Sequence, residues 1–167
     1  MENNEGAVGN AMMLYISRSV KITTAFVNSV MRFPEYATKG SAGFDLQANI
    51  KAPFILHRGE RALISTGIKV ALPFGHELQI RPRSGMVFKH GVTVLNSPGT
   101  IDSDYRGDIG VILHGSFGHS SPAWFTIEPG MRIAQAVLSE YRIAVFEEWD
   151  DLDDTERGSG GFGSTGE

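Results

Sequence analysis

Short aliphatic runs broken by turn residues dominate the middle of this chain. Residues 62–65, 68–72, 77–80, 92–95, 109–113 and 124–127 are each four or five residues long and rich in Ile, Val and Leu. Turn signals recur about every 8–12 residues between them, a spacing that predicts an all-β sandwich or barrel. Pro73-Phe74-Gly75 and Glu128-Pro129-Gly130 read as hairpin-type turns. Residues 84–90 have room for one helix of about two turns, with Met86 and Phe88 in the core and Ser84 as its N-cap. Residues 132–138 form the last long strand, with 141–145 as a candidate continuation.

The ends follow another pattern. Residues 1–20 hold no period and are expected to be a flexible N-terminal segment, followed by a β-barrel domain over 21–147. From 148 the chain is an acidic linker and then a Gly-rich arm, 158–166, in which five of nine residues are Gly. Such a stretch cannot bury a core of its own.

Composition narrows the function. With 167 residues the chain suits one domain with a real core. No apolar run reaches the roughly 20 residues of a membrane span, and the start lacks the order of a secretory signal. Cysteine is absent, which removes thiolate and disulfide chemistry. The net charge of −4 argues against a dedicated nucleic-acid binder, so an anionic ligand would need a few well-placed cations. His57, His76, His90, His114 and His119 show no zinc-type spacing. The expected location is the cytoplasm, or the nucleus in a eukaryotic or viral setting.

Five segments carry candidate chemistry. Ser41-Ala42-Gly43-Phe44-Asp45-Leu46 places small residues before a strand with one Asp. Arg81-Pro82-Arg83-Ser84-Gly85 sets an Arg and a Ser at a helix start, a geometry that suits phosphate. Asn96 to Asp108 reads as a long hairpin with turns at Pro98-Gly99 and Tyr105-Arg106-Gly107. Asp104 and Asp108 read as turn formers, whereas Asp102, next to apolar Ile101, is expected to face a half-buried pocket and to serve as general base. Arg132 and Gln135 interrupt a strand, which a surface-facing alternation or a subunit contact explains. In the arm, Gly158 to Gly163 matches G-x-G-x-x-G, yet no strand precedes it and only four residues follow, so a dinucleotide fold is not expected. Its free backbone N–H groups, with Arg157, Ser164 and Thr165, suit an anion cradle, and Phe162 suits stacking on a flat ligand.

In this order the five segments resemble the motifs of the trimeric dUTPase family and cover most of the chain from Ser41 to Gly166. The resemblance implies a jelly-roll-like distorted β-barrel, a homotrimer with shared active sites, and Mg²⁺ held mainly by the triphosphate. It implies hydrolysis of dUTP to dUMP and pyrophosphate, with Asp102 activating the water that attacks the α-phosphorus. Tyr105 would pack under the deoxyribose and exclude UTP. Asn96 and the backbone around Gly99, Thr100, Ile101 and Gly110 would read the uracil. Arg83, Ser84, Gly85 and Gln135 would hold phosphates. Arg157, Gly163, Ser164 and Thr165 would add the distal ones from the arm, with Phe162 over the base. Asp45 would reach Mg²⁺ through water. Gly110 departs from the family, whose members often carry a longer residue there. The alternatives are a dCTP deaminase of the same fold, for which no activated-water signature is visible, and a non-catalytic interaction protein on this scaffold.

Overall fold

The computed structural model describes residues 19–27, 33–118 and 122–161. Its strands are β1 (Thr23–Phe26), β2 (Gly43–Gln47), β3 (Phe54–His57), β4 (Arg61–Ser65), β5 (Ile68–Ala71) and β6 (His76–Arg81). One helix, α1 (Ser84–His90), separates these from β7 (Val92–Val94), β8 (Gly99–Ile101), β9 (Gly110–Gly115), β10 (Trp124–Ile127) and β11 (Arg132–Glu140). Of the sequence, residues 1–18 of the segment expected to be flexible lie outside the described residues.

Period-two alternation builds the barrel. In β6, Leu78 and Ile80 turn inward and are buried, while Glu77, Gln79 and Arg81 stay on the outer face. In β9 the inward set is Val111, Leu113 and Gly115. A four-stranded sheet runs β2-β11-β6-β8 and a three-stranded sheet runs β4-β9-β7. Two antiparallel ribbons, β1-β5 and β3-β10, complete the jelly-roll-like wall. Leu46, Leu56, Leu78, Leu113, Ile127 and Ile133 come from six strands and meet in one core. Truncating any of these Leu to Ala would cost about 2–5 kcal/mol.

The helix lies where the spacing places it, between Pro82 and Gly91. Gly91 ends it with φ 63° in the left-handed region, and its N–H bonds to the Val87 carbonyl at 2.9 Å. A side chain here would also collide with the backbone of Phe117, 3.0 Å from an added Cβ. The N-cap is Arg83, not Ser84, and no side chain caps the helix. Met86 is buried as expected, but Phe88 faces outward, 91% exposed, because two turns can bury only one stripe.

Three other expectations change. The turns at 73–75 and 128–130 join strands of different sheets, β5 to β6 and β10 to β11, and so are corners of the barrel instead of hairpins. Residues 141–145 form no strand: Tyr141 N–H bonds to the Gly75 carbonyl at 3.0 Å, and the stretch beyond finds no strand edge to join. The connection 95–109 does join antiparallel neighbours β7 and β9, but β8 inside it pairs away, with β6. Strands β1 and β3 carry no clear sequence signal, since each is four residues long and only part-buried.

Candidate active site

One outer face of the four-stranded sheet gathers residues from three of the five segments. Register places Gln135 opposite both Asp45 and Arg81. A slip in pairing between Arg132 and Ala134 turns Arg132 back toward the same face. A hollow of about 430 Å³ opens there, lined by Ser41, Gly43, Asp45, Arg81, Arg83, Ser84, Gly85, Arg132 and Gln135.

Its geometry is set by ion pairs. Arg83 Nε donates to Asp45 Oδ1 at 2.7 Å, and Arg132 Nη1 donates to Asp45 Oδ2 at 3.1 Å. Arg83 Nη1 also reaches the Arg132 carbonyl at 3.3 Å. A single carboxylate thus aligns two guanidinium groups, and with Arg81 the hollow holds three cations against one anion. Gln135 Nε2 bonds to the Pro82 carbonyl at 3.0 Å and fixes the turn that presents Arg83. Gly43 makes room for this amide, since an added Cβ would lie 2.8 Å from Gln135 Oε1. Ser84 and Gly85 are exposed at the rim. Convergent guanidinium groups of this kind suit an oxyanion. Arg132, read from sequence as a surface or subunit residue, is part of it, as is Arg81, and only tertiary pairing reveals this.

The remaining candidates lie elsewhere. Strand β8 is the edge of its sheet, so Gly99, Thr100 and Ile101 can offer backbone groups on the side away from β6. Asn96 packs against Gly99, with its amide nitrogen 3.0 Å from where a Gly99 Cβ would stand. Gly110 opens β9 opposite Ser65, and an added Cβ would lie 2.6 Å from Cδ1 of the exposed Leu63 side chain. Asp102 is exposed, not half-buried, because β8 ends at Ile101 and the chain turns out into solvent. Tyr105 is 43% exposed, and its hydroxyl donates to the Asp108 carbonyl at 2.9 Å. Asp108 is no simple turn former, since Ser65 Oγ donates to its carboxylate.

Asp102 and the arginine-lined hollow do not meet within one chain. Ile101 pairs with Leu78, so Asp102 follows at the level of Glu77. Arg83 leaves the opposite end of β6 in extended conformation, six residues further along, about 20 Å away. In the arm, Arg157 is turned onto its own segment, Nε to the Gly160 carbonyl at 2.7 Å. Phe162, Gly163, Ser164 and Thr165 lie outside the described residues. Among the described residues no three His, Asp or Glu side chains converge on a metal position. No described helix is long and apolar enough to cross a membrane.

Comparison with known proteins identifies the family. Deoxyuridine 5'-triphosphate nucleotidohydrolases of Chlamydia pneumoniae and Fusobacterium nucleatum are 62% and 52% identical to this chain, over 80% and 81% of its length and 90% of theirs. The dUTPase of Staphylococcus bacteriophage 80alpha with dUPNHPP has the same fold, with TM-score 0.76 and 25% identity over 87% of this chain and 98% of that one. A variant dUTPase of S. aureus phage phi11, whose structure reveals the coordination of a structural Mg(II) ion, matches in fold at TM-score 0.70 and 19% identity over 80% of this chain and 99% of its own. A family model described as dUTPase covers residues 30–166. The chain belongs to the dUTPase family.

Proposed function

We propose that this dUTPase, which converts dUTP and water to dUMP and pyrophosphate, builds each active site from more than one copy of the chain in a homotrimer. The observation that carries this is the separation of about 20 Å between Asp102 and Arg83 within one chain, set by the β6–β8 register. The base and phosphate ligands of one substrate must lie within a few ångströms of the same phosphorus. A neighbouring chain supplies the missing half. A second support is the apolar run after β11: Val145, Phe146, Trp149 and Leu152 are all at least 75% exposed in the isolated chain, a surface that calls for a partner.

In this reading the triphosphate lies on Arg83, Ser84, Gly85 and Gln135. Asp102 of a neighbouring copy accepts a proton from water, which attacks the α-phosphorus. The bond to the bridging oxygen breaks and pyrophosphate leaves with its charge held by guanidinium groups. The free edge of β8 pairs with the uracil, beside Asn96 and Gly110. Cytosine would leave those groups mismatched, a difference worth up to about 10⁴ in selectivity. Tyr105 lies under the deoxyribose. The arm brings Arg157, Gly163, Ser164 and Thr165 to the distal phosphates and Phe162 to the base.

The hollow fits Mg²⁺ carried by the substrate better than a metal held by protein. Its one carboxylate, Asp45, gives each oxygen to a guanidinium. Each oxygen keeps a second lone pair, enough to accept from a metal-bound water. When bound, Mg²⁺ neutralises charge on the phosphate oxygens and so supports departure of pyrophosphate. The protein groups orient those oxygens.

Mixing two inactive variants tests the shared site. Chains carrying Asp102→Asn and chains carrying Arg83→Ala are unfolded together and refolded. Mixed trimers should regain part of the activity, because some sites pair an intact Asp102 with an intact Arg83. Activity that stays at the level of the separate variants would place the whole site in one chain. Light scattering gives the mass of the assembly directly.

A further inference from the structure

The loop that carries Asp102 and Tyr105 has no strand pairing between Ile101 and Gly110, so a few discrete bonds decide where Tyr105 points. Its hydroxyl donates to the Asp108 carbonyl at 2.9 Å. Asp108 is in turn tied to β4, where Ser65 Oγ donates to Asp108 Oδ2 at 2.5 Å. The same Oγ accepts from the Gly67 backbone N–H at 3.1 Å and from Asn49 Nδ2 at 3.3 Å. A hydroxyl has one proton and two lone pairs, so these three bonds use its full capacity. Asp108 Oδ1 is buried with no hydrogen-bond partner, which leaves Ser65 as the side chain that satisfies this carboxylate.

The neighbouring backbone forms the rest of the clamp. Thr66 N–H and Oγ1 both donate to the Ile109 carbonyl, at 3.0 and 2.8 Å, and Ile109 N–H donates to the Ile68 carbonyl at 2.8 Å. Gly67, with φ 69°, turns the chain so that its N–H faces Ser65 and lies against Asn49. The end of β4 is therefore a fixed post from which the far end of the loop hangs.

We propose that Ser65 is a positioning residue for sugar selectivity: through Asp108 it sets the place of the Tyr105 ring that excludes a 2′-hydroxyl. This rests on the reading of Tyr105 given above. Ser65 lies in β4, outside all five sequence segments, and acts on the substrate only through the loop. The two ends of the site are then tuned separately, since nothing in this network touches Arg83, Asp45 or Arg132.

The test measures kcat/KM for dUTP and UTP in the intact protein and in Ser65→Ala, Ser65→Thr and Tyr105→Ala. Ser65→Ala should lower the preference for dUTP over UTP by about tenfold, the scale of a lost hydrogen bond to a charged group. Inhibition by pyrophosphate should stay unchanged, and Ser65→Thr, which keeps the hydroxyl, should restore the preference. A merely structural role would depress both substrates in parallel. That result, an unchanged preference or failure of Thr to rescue would overturn the proposal. Tyr105→Ala separates the two levels. If it leaves the preference unchanged, the sugar-platform reading itself fails; if it shifts the preference and Ser65→Ala does not, only the role of Ser65 fails. Should Ser65→Ala not fold, Asp108→Ala removes the acceptor from the other side of the same bond and is held to the same outcomes.

Discussion

The two ends of the four-stranded sheet differ in how completely one chain can build them. At the Arg83 end, Asp45, Arg132, Gln135 and Pro82 lock one another through ion pairs and an amide bond within the same chain. At the Asp102 end the candidate side chains stand exposed on a loop, with the Tyr105 ring laid against Gly107 and its hydroxyl bonded to the Asp108 carbonyl. Phosphate binding needs convergent cations, and those require a stable scaffold before the ligand arrives. A base and a sugar platform can project outward when their target lies on another subunit. In the proposed trimer the Arg83 half is the preformed one and the Asp102 half the one completed by assembly.

The largest effect should come from Asp102→Asn, at the exposed end. The amide keeps size and hydrogen-bonding reach but cannot take the proton, so kcat should fall by about 10²–10⁴. Binding of dUTP should hold or tighten, because the Arg83 end is intact and one nearby negative charge is gone. Single-turnover hydrolysis together with calorimetric titration checks both. A normal single-turnover rate with lost binding would move Asp102 from chemistry to positioning.

Deleting residues 157–167 comes next. Among the described residues the arm contributes no buried apolar residue to the core, so thermal unfolding and the mass of the assembly should match the parent. Turnover should drop by about 10², the scale of losing a closing segment that orients substrate. Full activity in the shortened protein would show that the two ends suffice without a cover.

At the preformed end, Asp45→Asn should cut kcat by about tenfold, the scale of one charge-assisted hydrogen bond. The amide keeps one acceptor oxygen, so one guanidinium loses its aligning partner; both keep their charge, so KM for dUTP should not rise and its dependence on salt should steepen. Steady-state kinetics at low and high ionic strength measure both. A large rise in KM with unchanged kcat would make Asp45 a substrate-binding residue instead of an aligner.

Much of this was legible in the sequence because local chemistry and fold agree there. The runs at 77–80 and 109–113 fall on β6 and β9, and the helix spans the 84–90 stretch that had room for it. What was not legible depends on pairing between distant strands. Arg132 belongs to the arginine-lined hollow only because β11 lies between β2 and β6, and Ser65 meets Asp108 across 43 residues of chain. The exposure of Asp102 and Phe88 was misjudged for a related reason. An apolar neighbour in sequence does not say where a strand ends or which stripe of a short helix finds a core.

The smallest effect separates two roles that the sequence merged in Ser84. Read from sequence, Ser84 caps the helix, and loss of such a cap would cost about 1 kcal/mol of stability. In the structure Ser84 is the first helical residue, no side chain caps the helix, and the hydroxyl is exposed at the rim of the hollow. Ser84→Ala should therefore leave the unfolding free energy within about 0.5 kcal/mol, as for other surface substitutions. It should still weaken dUTP by a few-fold, since one hydroxyl donor to phosphate is worth about 1 kcal/mol. Denaturant unfolding and kcat/KM on the same preparation measure the two roles side by side. Lost stability with unchanged kcat/KM would return Ser84 to structure and leave Arg83, Gly85 and Gln135 to hold the phosphates alone. A changed kcat/KM at constant stability would show that even the preformed end spends side chains on ligand that the fold does not need.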